Sequence, residues 1–229
     1  MYIFQPSKGS EIIGTEMAVE ESHPVKCFQH CDRNRNILCF SVPEICPLCG
    51  RNTRETESRI PPYVIPTPFV KARNKPFSII IKPTLGTFLQ NYTQTSNLHI
   101  GLTDSEGVTF DYDEDGVNIN APGWDQCIAI AMLQSPDDTA FSLRWDETLR
   151  RESKDDCWTK YRYHEDKYNC FDFVIQFLWK IQLHHTNPCL RSKSAMCEEL
   201  VVEYTRRAGQ YISLYRHISA HRYLCQMVK

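Results

Sequence analysis

Hydrophobic and polar positions alternate along this chain in two rhythms, and each marks out its own set of elements. Leu98-His99-Ile100-Gly101-Leu102-Thr103 alternates strictly, with Leu98, Ile100 and Leu102 on one face, as a strand does when it buries one side. Phe77-Ser78-Ile79-Ile80-Ile81-Lys82-Pro83 predicts a β-branched strand ended by proline, Val108-Thr109-Phe110-Asp111-Tyr112 another, and Gln126 to Met132 a further one. Asp104-Ser105-Glu106-Gly107 reads as the turn of a hairpin. Closed symmetrically, that turn pairs Thr103 with Val108, Gly101 with Phe110 and His99 with Tyr112, and it sets Asp111 on the face away from His99. Gly101 weakens a strand unless a backbone or a ligand must come close. It singles out the His99 face.

The second rhythm is helical. Tyr168-Asn169-Cys170-Phe171-Asp172-Phe173-Val174-Ile175-Gln176-Phe177-Leu178-Trp179 follows a charged, loop-like run and is apolar almost all round, as a central, buried helix is. Asn169 suits the N-cap and Asp172 the N3 position, where a carboxylate meets the positive end of the helix dipole. Cys170 then falls at N1, among unpaired backbone N–H groups that favour a thiolate. A helix is also expected from Pro136-Asp137-Asp138 through Trp145 and Leu149. Apolar residues at 201, 204, 208, 211, 212, 215 and 218 predict a long helix in the tail. Its Arg206 and Arg207 lie off that stripe and read as a solvated face. His184-His185-Thr186-Asn187-Pro188-Cys189 reads as a solvated turn, although two histidines and a cysteine are the raw material of a metal site.

The chain of 229 residues carries a formal net charge of −2, so there is no global attraction to nucleic acid or anionic membrane. No apolar run has the length of a membrane span, and the first residues show no charged-then-apolar signal pattern. Eleven cysteines without such a signal read as reduced thiols and metal ligands, in a cytoplasmic or nuclear setting. Residues 1–24 have no sustained period and are expected as a flexible arm. Residues 25–52 hold Cys27, Cys31, Cys46 and Cys49, the last pair within Cys46-Pro47-Leu48-Cys49-Gly50. Proline and glycine there shape a tight knuckle that turns thiolates toward one ion. A zinc-ribbon-like module is expected, with Cys27, Cys31, Cys46 and Cys49 as structural zinc ligands and Ile37 to Val42 as a strand. His30 beside Cys31 is an alternative to Cys27, and Cys39 is a spare. Residues 53–76, with Ile60-Pro61-Pro62-Tyr63 and Pro66-Thr67-Pro68, read as a Pro-rich linker. Residues 77–229 form an α+β main domain, an antiparallel sheet packed against helices.

Leu98-His99-Ile100-Gly101-Leu102 together with Tyr168-Asn169-Cys170-Phe171 resembles the paired motifs of circularly permuted papain-like folds. That group includes the PPPDE-type peptidases and the lecithin:retinol-acyltransferase-like proteins. The resemblance implies that Cys170 is the nucleophile and His99 the base of an acyl-transfer reaction on a peptide, isopeptide, thioester or lipid acyl group. His164 is an alternative base, and neither spacing nor resemblance supplies a third residue to orient the imidazole. Over its whole length the chain resembles the makorin-2 opposite-strand protein family, in Phe40-Ser41-Val42-Pro43, Lys82-Pro83-Thr84-Leu85-Gly86-Thr87-Phe88-Leu89 and Ile212-Ser213-Leu214-Tyr215-Arg216. Two expectations stand side by side. One is a cysteine enzyme acting on an acylated substrate; the other is a non-catalytic zinc-ribbon adaptor for a protein partner, in which Cys170 and His99 are core.

Overall fold

The computed structural model describes residues 23–133 and 138–228. The arm expected over 1–24 falls almost wholly outside these residues, as do Pro136 and Asp137. In chain order the strands are β1 (Lys26–Gln29), β2 (Arg35–Cys39), β3 (Ile60–Val64), β4 (Ser78–Pro83) and β5 (Leu98–Thr103). Then come β6 (Thr109–Asp113), β7 (Gly116–Ile119), β8 (Ile128–Ala131) and, at the far end, β9 (Tyr223–Met227). The helices are α1 (Thr139–Glu152), α2 (Cys170–Lys180) and α3 (Val202–His221), the last entered through a π-helical segment, Met196–Val201.

The architecture is α+β with two antiparallel sheets. The larger has the order β7-β6-β5-β4-β8. Ile79, Ile81, Ile100, Leu102, Phe110 and Tyr112 bury one of its faces against Phe173, Val174, Phe177 and Leu178 of α2 and Trp145 and Leu149 of α1. The other face carries Ile80 with Ala72, Trp124 and Cys127. Both faces are therefore covered. Asp138 caps α1, its side chain accepting from the Phe141 N–H. No helix among the described residues is long and apolar enough to cross a membrane. Arg206 and Arg207 are both paired with Glu203 and largely exposed, which makes the basic stretch of α3 a partly neutralised, solvated face.

The hairpin register differs by one residue from the symmetric expectation. Asp104 N–H donates to Val108 O at 3.0 Å and Gly107 N–H to Asp104 O at 3.2 Å, with Gly107 at φ +80. This is a three-residue loop ending in a left-handed residue, and the extra residue moves the pairing along by one. Thr103 pairs with Thr109, Leu102 with Phe110 and Gly101 with Asp111. A slip of one residue turns every side chain of a strand over. Asp111 therefore lies on the His99 face, not away from it.

The smaller sheet has the order β3-β1-β2-β9, so it draws on the cysteine-rich segment, the proline-rich stretch and the C-terminal strand. Pro61 and Pro62 lie in β3 at its edge, the position in a sheet that tolerates a missing N–H. β3 and β9 thus cross the boundaries that composition alone draws at 53–76 and 77–229.

Candidate active site and metal centre

α2 begins where the sequence predicts, and its cap is held from several sides. Asn169 accepts from the Phe171 N–H at 3.0 Å, while its own N–H donates to Asp172 Oδ2 at 2.9 Å, a reciprocal capping box. Lys193 fixes the same carboxylate at 2.6 Å. Cys170 occupies N1, whose N–H has no partner within a helix, and the residue is 4% exposed.

His99 stands on β5 beside this helix start. Its Nε2 is 2.8 Å from Asp111 Oδ2. The Asp111 carboxylate is itself positioned: Trp124 Nε1 donates to Oδ1 at 3.2 Å and Asn118 Nδ2 to Oδ2 at 3.3 Å. The Cys170 sulfur is close enough to His99 to act on its protonation. Burial, the largest single influence, opposes the imidazolium; the hydrogen bonds to Asp111 and Cys170 and their charges outweigh it, and His99 is raised to about 9. His99, Asp111, Asn169 and Cys170 line one groove of about 610 Å³. The alternative base, His164, is exposed, and its Nδ1 accepts from the Asp166 N–H.

Gly101 permits this arrangement. A Cβ there would stand 2.7 Å from Phe110 O, 3.1 Å from Asp111 Cβ and 3.4 Å from the Trp124 ring. Gly101→Ala is expected to cost about 1–3 kcal/mol, since inserted volume in a packed region forces backbone shifts. It should also separate Asp111 from His99. The imidazole titration followed by NMR should then fall from about 9 toward the ordinary value of about 6.5. An unchanged titration would mean that the glycine has no part in placing Asp111.

The cysteine-rich segment brings together His30, Cys31, Cys46 and Cys49, whose ligand atoms all lie within 4.8 Å of one another. Cys31 and Cys46 sulfurs are 4.0 Å apart, and Cys49 Sγ is 3.4 Å from His30 Nδ1. Ligands on a tetrahedron with bonds of about 2.3 Å sit about 3.8 Å apart, so the donor set could hold a metal ion. His30 Nε2 is 2.7 Å from Thr56 Oγ1, whose hydroxyl donates to Asn52 O. Thr56 is thus left to accept, the proton resides on Nε2, and Nδ1 turns its lone pair to the cluster. The Arg51 backbone N–H bonds the Cys49 sulfur and leads the influences that lower this thiol to about 6, the anionic form a metal needs.

Cys27, expected as a ligand, is not in this group. Period-2 alternation on β1 sends it to the opposite face, packed with Val25, Leu38 and Ile218. Phe28 faces the cluster side with Ile37, Cys39 and Cys46. His30 takes the fourth position in place of Cys27. Cys39 is buried in that apolar cluster, where burial pushes its thiol up to about 11. All eleven cysteines are free thiols.

The family model described as DUF4796 C-terminal matches residues 62–218, and that described as DUF4796 N-terminal matches residues 23–52. The MKRN2 opposite strand protein of Homo sapiens is 34% identical over 194 residues, 85% of each chain. No solved structure matches the chain. Two family models and a relative of this identity and coverage agree: the chain belongs to the DUF4796 family, that of the MKRN2 opposite strand protein.

Proposed function

We propose that this chain is a cysteine-dependent acyl-transfer enzyme, with Cys170 as nucleophile, His99 as general acid and base, and Asp111 as the residue that orients the imidazole. The observation that carries this reading is the 2.8 Å bond from His99 to Asp111 beside a cysteine at the first position of a helix. In the first step Cys170 Sγ forms a bond to an acyl carbon. The bond from that carbon to its amine, alcohol or thiol leaving group breaks, and His99 gives its proton to the leaving atom. The Cys170 N–H, unpaired by the helix, is a donor for the developing oxyanion. Water then attacks the thioester, with His99 taking its proton, and the acid and free Cys170 are released. Asp111 stays ionised throughout and holds one face of the ring.

His30, Cys31, Cys46 and Cys49 bind one structural zinc in this reading. The support is a thiol-rich donor set with one imidazole and all four positions filled by protein, which leaves no site for substrate.

Iodoacetamide labelling, with metal kept bound, tests the catalytic proposal. Cys170 is expected to react before the other thiols at neutral pH, and His99→Ala to abolish that preference. The raised His99 value sets the pH dependence. Its charged form accompanies the reaction through neutrality, so an acyl-transfer rate that needs the imidazolium falls as pH rises through about 9. The same pairing stabilises the fold by an amount fully present below about 6.5, the unfolded value, and lost as pH rises through about 9. Labelling of Cys170 that is indifferent to His99→Ala would leave a non-catalytic scaffold.

A further inference from the structure

The walls of the groove carry an excess of negative charge. Asp113 and Glu114 come from the end of β6 and the turn after it; Glu165 and Asp166 come from the loop that leads into α2. None of the four forms an ion pair among the described residues. Asp113 accepts from the Asn118 amide at 2.8 Å and Glu165 from the Asn97 amide at 3.3 Å. Neutral donors orient these carboxylates without cancelling their charge. Among the described residues the one lysine lining the groove is Lys82, with Nζ 4.5 Å above the Trp124 ring; its charge acts on Asp111 and Asp113 and leaves Glu114, Glu165 and Asp166 in excess. The negative walls act on the interior: Tyr163, in the same groove, is pushed up to about 12, first by burial and then by Cys170, Glu114, Glu165 and Asp113.

From these walls, and resting on the acyl-transfer reading above, we infer that the substrate is a basic polypeptide segment, with lysine or arginine flanking the acyl carbon that Cys170 attacks. Like charges held together on both sides of a cleft repel one another, and a cationic ligand relieves that repulsion as it binds. A cleft lined predominantly by one sign of charge also concentrates counter-charged ligands and raises their on-rates, by about 10–10³-fold where the field is strong. A polypeptide suits the remaining lining, which mixes backbone-scale polar groups such as Asn97 and Asn118 with Leu85, Leu98 and Phe171. The apolar share is distributed along an open groove that Leu85, 84% exposed, borders.

The test uses the full chain with its metal bound and two peptide thioesters, identical except for lysine or glutamate on either side of the acyl carbon. Acylation of Cys170 is followed by mass spectrometry. The lysine probe is expected to react about 10-fold faster or more at low ionic strength, with the advantage shrinking as salt screens the walls over about 10 Å at 0.1 M. The double variant Glu114→Gln, Glu165→Gln alters exposed side chains and should reduce the lysine-to-glutamate ratio. Equal rates for the two probes, or a ratio unmoved by the double variant, would overturn the substrate class. Neutral iodoacetamide on the unaltered chain separates the two claims. If Cys170 labels selectively and the probes react alike, only the substrate inference falls; if selective labelling fails, the acyl-transfer reading falls as well.

Discussion

Phe177→Ala is expected to lower the free energy of unfolding by about 3–5 kcal/mol, and Phe173→Ala by a similar amount. Both rings are sealed, at 1% and 0% exposure, so truncation removes apolar burial and leaves a cavity. Phe177 meets Trp145 edge-on with centroids 4.8 Å apart, and the Trp145 indole N–H is fixed on Thr103 O at 3.0 Å. That ring therefore ties α1, α2 and β5 together. Phe173 lies against Trp158 at 5.2 Å and faces Tyr112 of β6. Urea unfolding followed by tryptophan fluorescence measures the effect. Midpoints close to that of the unaltered chain in both variants would remove α2 from the core. They would also remove the physical reason for Cys170 being held beside His99.

Metal removal is expected to have the other large effect. Structural zinc supplies about 10–16 kcal/mol of apparent binding free energy in small zinc modules at neutral pH, and the segment around residues 30–49 has little core of its own. Protein purified without chelator should contain one zinc per chain. Chelation should open the smaller sheet, seen as lost hydrogen-exchange protection in β1, β2 and β9. His30→Ala should lose the metal, and Cys27→Ala should retain it. The reverse pattern, or protein without stoichiometric metal, would refute the His30, Cys31, Cys46, Cys49 centre.

How much of this could be read from the residues alone divides along the range of the interactions. α2 was legible because its signals are local: the Asn169 cap, Asp172 three residues on, and an apolar run too wide for one face. The His99 strand was legible from its alternation. Asp111 was not, because its face depends on whether the turn holds an odd or an even number of residues. Gly107 with a carboxylate at Asp104 was the signal, since a left-handed glycine closing a three-residue loop shifts the register. Asp104 Oδ1 indeed accepts from the Glu106 and Val108 N–H groups. His30 was legible in principle, since Cys27 and Phe28 are adjacent in a strand and must face opposite ways. β7 and β9 had no such cue. β9 is a short edge strand with exposed Tyr223 and Met227, and what defines it is a partner far away in sequence.

That distance shapes how the molecule can be made on a ribosome. Ile37 of β2 pairs with Cys225 of β9, 188 positions later, and at about 5–20 residues per second the wait is roughly 10–40 s. Throughout that interval the outer edge of β2 presents unpaired backbone groups, the template on which another nascent chain could add a strand. The four residues that could hold a metal, by contrast, all emerge within twenty residues of one another, from His30 to Cys49. An ion captured early can therefore hold the half-built sheet in register while the larger sheet and its helices are synthesised and folded. β9 then arrives as the closing strand, and the beginning and end of the described fold are joined last.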